Sequence, residues 1–376
     1  MPWREVSNPA RDWHGDAPLN WGGAQNANDT VDLLDPAALP DRFASVDALD
    51  EFLTRPTRAL VDDLATVDGD LLILGVAGKM GPTLARLAKR ASPSRRVVGV
   101  ARFSDRSVRD RLAEHGVETI ACDLLDRAAI AALPDAPNVI FAAGHKFGAS
   151  GAPALTWAMN THVPALVAER YRAARIVAFS TGNVYGLVPV GQAGASESMA
   201  PTPVGEYAQS CLGRERMFEY FSAKHGTPGR IVRLNYAIDM RYGVVFDVAS
   251  KVQRGEPVDV TMGHVNVIWQ GDANAQVLRC LAHCTMPTTP INVTGPETIS
   301  IRWLAQQLAA RLGTEAKVVG QEAATALLSD TSHAAALFGH PLVPLARMLD
   351  WVADWVKAGG TSFGKPTKFE VRDGEF

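Results

Sequence analysis

The chain has 376 residues, enough for one large α/β domain or two modest ones. Apolar residues make up 47% and charged residues 20%, and a net charge of -3 leaves no basic footprint for nucleic acid. No apolar run approaches the roughly 20 residues that cross a bilayer, so neither a membrane nor a nucleic acid is expected as a partner.

Four cysteines, Cys122, Cys211, Cys280 and Cys284, are too few and too irregularly placed for a disulfide framework. The start, Met1-Pro-Trp-Arg-Glu-Val, lacks the apolar stretch of a signal peptide, and a reducing cytoplasm is the expected location. Residues 1–44 carry Trp3, Trp13 and Trp21 with almost no periodicity, which reads as an extended arm whose tryptophans dock on the main body. Ser45 fits an N-cap ahead of a short helix with Leu49, Phe52 and Leu53 on one face. Pro56 sits where a second helix opens, running to about Val67. Residues 1–68 are therefore expected to form an arm and a helical extension.

From Asp70 the pattern becomes strand, helix, strand, helix. Short runs of Val, Ile and Leu fall at 71–74, 97–100, 117–121, 138–142, 176–179 and 231–234, with helical patterns at 79–91, 105–115, 126–132, 153–173 and 203–225. Strands that are continuously apolar are buried on both faces, as in a parallel sheet covered by helices. The fold class expected is α/β, a doubly wound parallel Rossmann sheet over 69–240. Residues 241–376 are expected to form a smaller mixed substrate lobe, with the 272–294 helix and strand returning to the core.

Leu71-Leu-Ile-Leu-Gly75-Val-Ala-Gly78-Lys-Met-Gly81 reads as a buried strand, a tight turn and a helix start. Gly75 permits the turn, Gly78 lets a pyrophosphate approach the backbone, and Gly81 allows close helix–strand packing. Ala77, Gly78, Lys79 and Met80 would then present amides to the phosphates at the positive end of the helix. At the end of the second strand, Ala101-Arg102-Phe103-Ser104 holds no acid for ribose hydroxyls. Arg102 and Ser104 suit a 2′-phosphate instead, so NADP is favoured over NAD.

These motifs resemble the extended short-chain dehydrogenase/reductases, the NAD(P)-dependent sugar epimerase/dehydratase family, over about residues 69–313. Gly75-x-x-Gly78-x-x-Gly81 has that family's spacing, and Cys122-Asp123-Leu124 is similar to its third-strand signature, where Asp123 would bond the adenine amino group. Ala142-Ala143-Gly144 resembles the segment along the nicotinamide ribose, and Asn235-Tyr236-Ala237 the strand end that meets the nicotinamide amide. Ser180-Thr181-Gly-Asn-Val184-Tyr185-Gly186 is close to the fifth-strand motif and puts the catalytic hydroxyl on Thr181. Asn160 matches the asparagine that steadies the site. The resemblance also implies a homodimer through the helices at 153–173 and 203–225.

In that family a tyrosine and a lysine four residues later do the proton work from one helical face. The ammonium lowers the tyrosine pKa, and the tyrosine exchanges a proton with a substrate hydroxyl. Tyr207 aligns with the tyrosine, but the lysine position holds Cys211. Tyr220-x-x-x-Lys224 has the literal spacing and is rejected, because it lies too late on the helix and at the wrong end of the sheet. Three readings stay open. Lys146, just past the fourth strand, stands in as the cation; or His145 or Tyr207 runs different acid/base chemistry; or the protein binds cofactor without turnover. A binding-only protein would have little need for Thr181, Tyr207 and Asn160 together.

The stretch 263–270 lacks the arginine with which nucleotide-sugar enzymes of the family grip a pyrophosphate, which points to a smaller sugar or sugar acid. His145, Tyr185, Arg241 and His264 are candidate substrate contacts. Cys280-Leu-Ala-His283-Cys284 is expected to lie within one apolar helix, and no metal site is expected.

Overall fold

The computed structural model describes residues 31–146, 151–365 and 367–375. The arm with Trp3, Trp13 and Trp21 lies outside the described residues, and a compact unit begins at Asp32. Seven parallel strands form its sheet: β1 (Leu71–Leu74), β2 (Val97–Ala101), β3 (Glu118–Ala121), β4 (Asn138–Phe141), β5 (Arg175–Thr181), β6 (Gly229–Leu234) and β7 (Thr289–Val293). Their order is β7-β6-β5-β4-β1-β2-β3, so the chain reverses direction across the sheet between β1 and β4. Ligands of open α/β sheets lie at such a switch point, beyond the carboxyl ends of the strands. All residues of β1, β2 and β4 are buried, including Asn138, which donates to the Asp68 carbonyl at 2.7 Å. β3 is the exception: it forms the sheet edge and is half-exposed.

The helices match their sequence signals closely. Ser45 caps α1 (Val46–Leu53), its Oγ accepting from the Ala48 amide at 3.1 Å. α2 (Arg58–Ala65) starts later than Pro56 suggests, because Thr57 supplies the cap. α3 (Gly81–Ala91) follows the glycine turn, with Pro82 in its first turn. α4 (Arg106–Glu114) and α5 (Arg127–Ala131) are capped by Asp105 and Asp126. α6 (Pro153–Trp157) passes through a π turn at Ala158–His162 into α7 (Val163–Arg170), and α8 spans Gly205–His225.

The extension before residue 69 does not pack as one body. Leu60 and Leu64 of α2 join the core beneath β1, whereas Leu49, Phe52 and Leu53 of α1 join the core of the lobe. There Phe43, Phe52, Trp269 and Trp351 stack edge-on and tilted, with ring centroids 5.0–6.2 Å apart. The lobe adds α9 (Val244–Gln253), α11 (Ile301–Leu312) and α13 (Leu345–Lys357), while α10 (Gln270–Arg279) returns to pack on α2 and α3. A short helix, α12 (Ser332–Phe338), has no counterpart among the elements expected from sequence. No helix among the described residues is long and apolar enough to cross a membrane.

Trp351 is 1% exposed and donates from Nε1 to the Pro40 carbonyl at 2.7 Å. Trp351→Ala should cost about 3–5 kcal/mol, read as a lower urea midpoint with an unchanged slope. A loss under about 1 kcal/mol would show that the aromatic cluster does not hold the lobe to α1.

Candidate active site

The glycine turn has the geometry its spacing implies. Gly75 has φ 89°, and a Cβ there would lie 2.5 Å from the Ala143 amide nitrogen, so a side chain would part β1 from β4. A Cβ on Gly81 would lie 2.1 Å from the Val76 carbonyl oxygen. Gly78 is different: it is exposed, and a Cβ there would meet only the Gly75 carbonyl, at 3.3 Å. Backbone is thus open where a phosphate would approach, and no side chain caps the N-terminus of α3. A cavity of about 380 Å³ lies over Ala77, Gly78 and Lys79, with Arg86, Arg111 and Arg241 in its walls. The turn therefore fits a dinucleotide's phosphates.

The remaining cofactor positions line the carboxyl end of the sheet. Arg102 and Ser104 are exposed after β2, and Asp105 is committed to the Ser107 amide as the cap of α4. Asp123 is exposed beside the buried Leu124, one of its oxygens accepting from the Leu125 amide at 3.0 Å. Ala142, Ala143 and Gly144 follow β4. Asn235 is buried with its amide donated to the Leu327 carbonyl, Tyr236 holds φ 41°, and the Ala237 carbonyl accepts from Lys79 Nζ at 2.9 Å. That bond joins the phosphate turn to the strand end expected to meet nicotinamide.

Around Tyr207 the structure gathers the residues named as catalytic. The Tyr207 hydroxyl is hydrogen-bonded to the side chains of Thr181, at the end of β5, and Cys211, one turn further along α8. Burial pushes the Tyr207 hydroxyl well above its ordinary value, and burial likewise raises the Cys211 thiol. Cys211 is therefore a neutral neighbour. Lys146 Nζ stands 5.7 Å from the centroid of the Tyr207 ring, and burial draws its pKa down to about 8.

The structure adds a second cation that the motifs do not name. Arg214 lies on α8 at i+7 from Tyr207 and i+3 from Cys211, and its charge favours ionisation of both. Its guanidinium is buried and donates to the Phe179 carbonyl at 2.8 Å and to Asn160 Oδ1 at 2.7 Å. A Cβ at Gly144 would lie 2.6 Å from Arg214 Nη2, so Gly144 is small for the arginine's sake. Asn160, in the π turn, also accepts from the His145 amide at 2.8 Å and donates to the His145 carbonyl at 3.0 Å. The π turn and Arg214 together fix the loop that carries Lys146. The signal for Arg214 in the sequence is its helical spacing, one turn beyond the i+4 position where the family keeps its lysine.

The candidate substrate contacts separate. His145 is near the site, its Nδ1 2.9 Å from the Thr156 hydroxyl. Tyr185 is not offered to a ligand: it is 2% exposed, its ring stacks under Arg233 at 4.6 Å, and its hydroxyl donates to Asn292. Arg233 in turn pairs with the buried Glu215 at 2.7 Å, which accepts from Ser180. Arg241 is buried between Asp50 and Asp239, with a face on the cavity above the glycine turn. His264 belongs to a short strand paired with Ser300 in the lobe. Tyr220 is exposed, its ring edge-on to Phe221 at 5.1 Å, and Cys280, His283 and Cys284 lie beyond the end of α10, not within it. No group of residues able to hold a metal ion occurs among the described residues.

The sequence profile of the NAD dependent epimerase/dehydratase family matches residues 71–266, just over half of the chain. The chain belongs to this family. It is an enzyme of the family's NAD-dependent type, built on the extended short-chain dehydrogenase fold. A search of curated proteins finds no match. Among solved structures, UDP-glucuronic acid 4-epimerase from Bacillus cereus in complex with NAD superposes with a TM-score of 0.65 at 19% identity, covering 77% of this chain and 99% of that one. UDP-glucose 4-epimerase from Thermus thermophilus, also with NAD, gives 0.62 at 20% identity, covering 76% and 98%. MoeE5 in complex with UDP-glucuronic acid and NAD gives 0.63 at 18% identity, covering 77% and all of its chain.

Arg214→Met would remove the side-chain donor to the Phe179 carbonyl and one of the two donors to Asn160 Oδ1, which keeps the His145 amide. The expected loss is about 1–3 kcal/mol, read by chemical denaturation. Unchanged stability would mean that the guanidinium is not the tie described.

Proposed function

We propose that this family member acts on a sugar or sugar-acid secondary alcohol by hydride transfer, with Tyr207 exchanging the hydroxyl proton. The observation that carries this is the placement of Lys146 over the Tyr207 ring while Tyr207 bonds Thr181. When bound, the nicotinamide supplies or accepts the hydride. The chain's own residues do the rest. Thr181 and Tyr207 hold the reacting oxygen between two hydroxyls. Tyr207 keeps its proton across the physiological range and donates it as negative charge grows on that oxygen. Lys146 and Arg214 lower the cost of the tyrosinate that remains. Burial and the neighbouring Cys211 both oppose ionisation of the tyrosine, and Arg214 favours it.

The cofactor is read as NAD or NADP, with NADP favoured by exposed Arg102 and Ser104 and by the commitment of Asp105 to a helix cap. A homodimer through α6–α7 and α8 is supported by exposed Leu155, Trp157 and Tyr220 on those helices.

Tyr207→Phe should lower kcat by about 10²–10⁴ while cofactor affinity stays within about twofold. Intact turnover would sink the role of Tyr207; a wild type that binds cofactor but turns over no sugar, while Cys211→Lys gains activity, would favour binding without chemistry. Lys146 loses its charge as pH rises through about 8, so wild-type reduction should decline above that pH. Lys146→Met should be slower and lack that limb; a variant keeping the same limb would assign it elsewhere. Arg102→Ala should weaken NADP about tenfold and leave NAD unchanged, as measured by fluorescence titration. Equal effects on both would remove the preference for NADP.

A further inference from the structure

The C-terminal strap crosses from the cavity above the glycine turn to the start of the Tyr207 helix. Its first part is held to the lobe. The Phe363 amide donates to the Arg241 carbonyl at 3.2 Å, and Thr367 bonds Asp247 of α9 through amide and hydroxyl. Phe369 is fully buried in the lobe core, and Glu370 pairs with Lys251 of α9. The Val371 amide then donates to the Lys368 carbonyl at 3.1 Å, in a turn that Lys368 opens with a left-handed backbone, φ 53°. Beyond that turn the partners change. Arg372 donates to the Thr325 carbonyl and to the Thr325 hydroxyl, each at 2.7 Å. Gly374 lies against Gly205, the first residue of α8. A Cβ on Gly374 would fall 2.4 Å from the Val204 carbonyl oxygen, and one on Gly205 2.5 Å from the Gly374 carbonyl oxygen. Both glycines are left-handed, φ 82° and 80°, so backbone meets backbone just before Tyr207.

This tail closes one side of the Tyr207 site. Val371, Arg372 and Gly374 face Asn183 and Gly186, which follow Thr181, and Leu327 of the lobe. The space left between them is about 20 Å³, room for about one water and none for a sugar ring. The cofactor, on the reading above, lies along the glycine turn, Gly144 and Asn235. That leaves the side facing the tail for the sugar.

We infer that residues 371–375 are a lid over the Tyr207 site, which substrate reaches only when they lift. This rests on Tyr207 as the reacting tyrosine. The hinge lies between Glu370 and Val371, Arg372 on Thr325 is the latch, and the Gly374–Gly205 contact is the seat. The two sides of the hinge are held differently. Before it, Thr367 and Phe369 are buried in the lobe. After it, Asp373 and Glu375 are exposed, and Lys368 Nζ donates to the Glu375 carbonyl at 3.4 Å. A segment held by polar contacts at the surface opens locally while a buried anchor stays shut.

Cys211 reports the opening, because it is 0% exposed and its thiol is hydrogen-bonded to Tyr207. Cys280, also 0% exposed but distant from the tail in the core beneath β1, is the control. The full chain saturated with NAD is treated with iodoacetamide, and each cysteine is followed by peptide mass spectrometry. A chain ending at Glu370, which keeps both anchors, should alkylate Cys211 at least about tenfold faster than wild type, with Cys280 and the thermal midpoint unchanged. Arg372→Ala, which frees only the latch, should gain about tenfold. In wild type, the 371–375 amides should exchange hydrogen at least about tenfold faster than the Thr367 amide. Unchanged alkylation of Cys211 in either variant overturns the inference. Cys211 and Cys280 accelerating together, or 371–375 protected as well as Thr367, also overturns it and makes the tail a structural brace. No turnover is measured, so these results bear on the lid alone, while the hydride-transfer reading fails separately, by intact turnover in Tyr207→Phe.

Discussion

The site depends on where the guanidinium of Arg214 is spent. It reaches from α8 to the Phe179 carbonyl on β5, to Asn160 in the π turn, and up against Gly144 after β4. Four segments that are far apart in sequence are thereby held at one buried point. Two of them are α8, which carries Tyr207, and the loop after β4, which carries Lys146. Their separation is set by this tie and by the Asn160–His145 bonds. A π turn is a costly local geometry and tends to occur at functional sites, and here it aims an asparagine at both partners.

That arrangement bears on the cysteine at the expected lysine position. Under the proposed mechanism Lys146 takes the place of an ammonium one turn from the tyrosine, and the charge of Arg214 favours ionisation of Tyr207. A unit charge at about 6 Å is worth on the order of 3 kcal/mol at an effective dielectric of about 20, and under about 1 kcal/mol in water. Under the proposed mechanism that compensation depends on partial desolvation, and the same desolvation draws Lys146 toward neutrality. Cys211 tolerates this environment better than a third cation would. A lysine there would stand beside Arg214 and Lys146 in one buried space, so the three positions form one electrostatic unit.

Much of this is legible in the sequence. Apolar runs mark most of the strands, because burial on both faces leaves few polar positions; β6 departs from this with buried Arg230 and Arg233, and β3, at one edge, is half-exposed. Ser45 and Gly75-x-x-Gly78-x-x-Gly81 are readable since caps and tight turns are local chemistry. Arg214 escapes because a buried arginine on a helix looks like any solvated one until its acceptors are known, and those lie on β5 and in a π turn. Tyr185 misleads for a related reason: its motif places it near the site, but Arg233 and Asn292, both distant in sequence, claim its ring and its hydroxyl. The strap at 361–375 has no periodicity at all, and only tertiary anchors such as Phe369 give it a shape.

Residues 71–266, the span that matches the family, contain the glycine turn, Thr181 and Tyr207. Asp50, which holds Arg241, and Phe363, which bonds the Arg241 carbonyl, both fall outside that span, as does Lys368. A buried arginine needs its carboxylates to be in place before it can be desolvated. Arg241 therefore records that α1, the stretch beyond β6 and the strap assemble together around the cavity above the glycine turn.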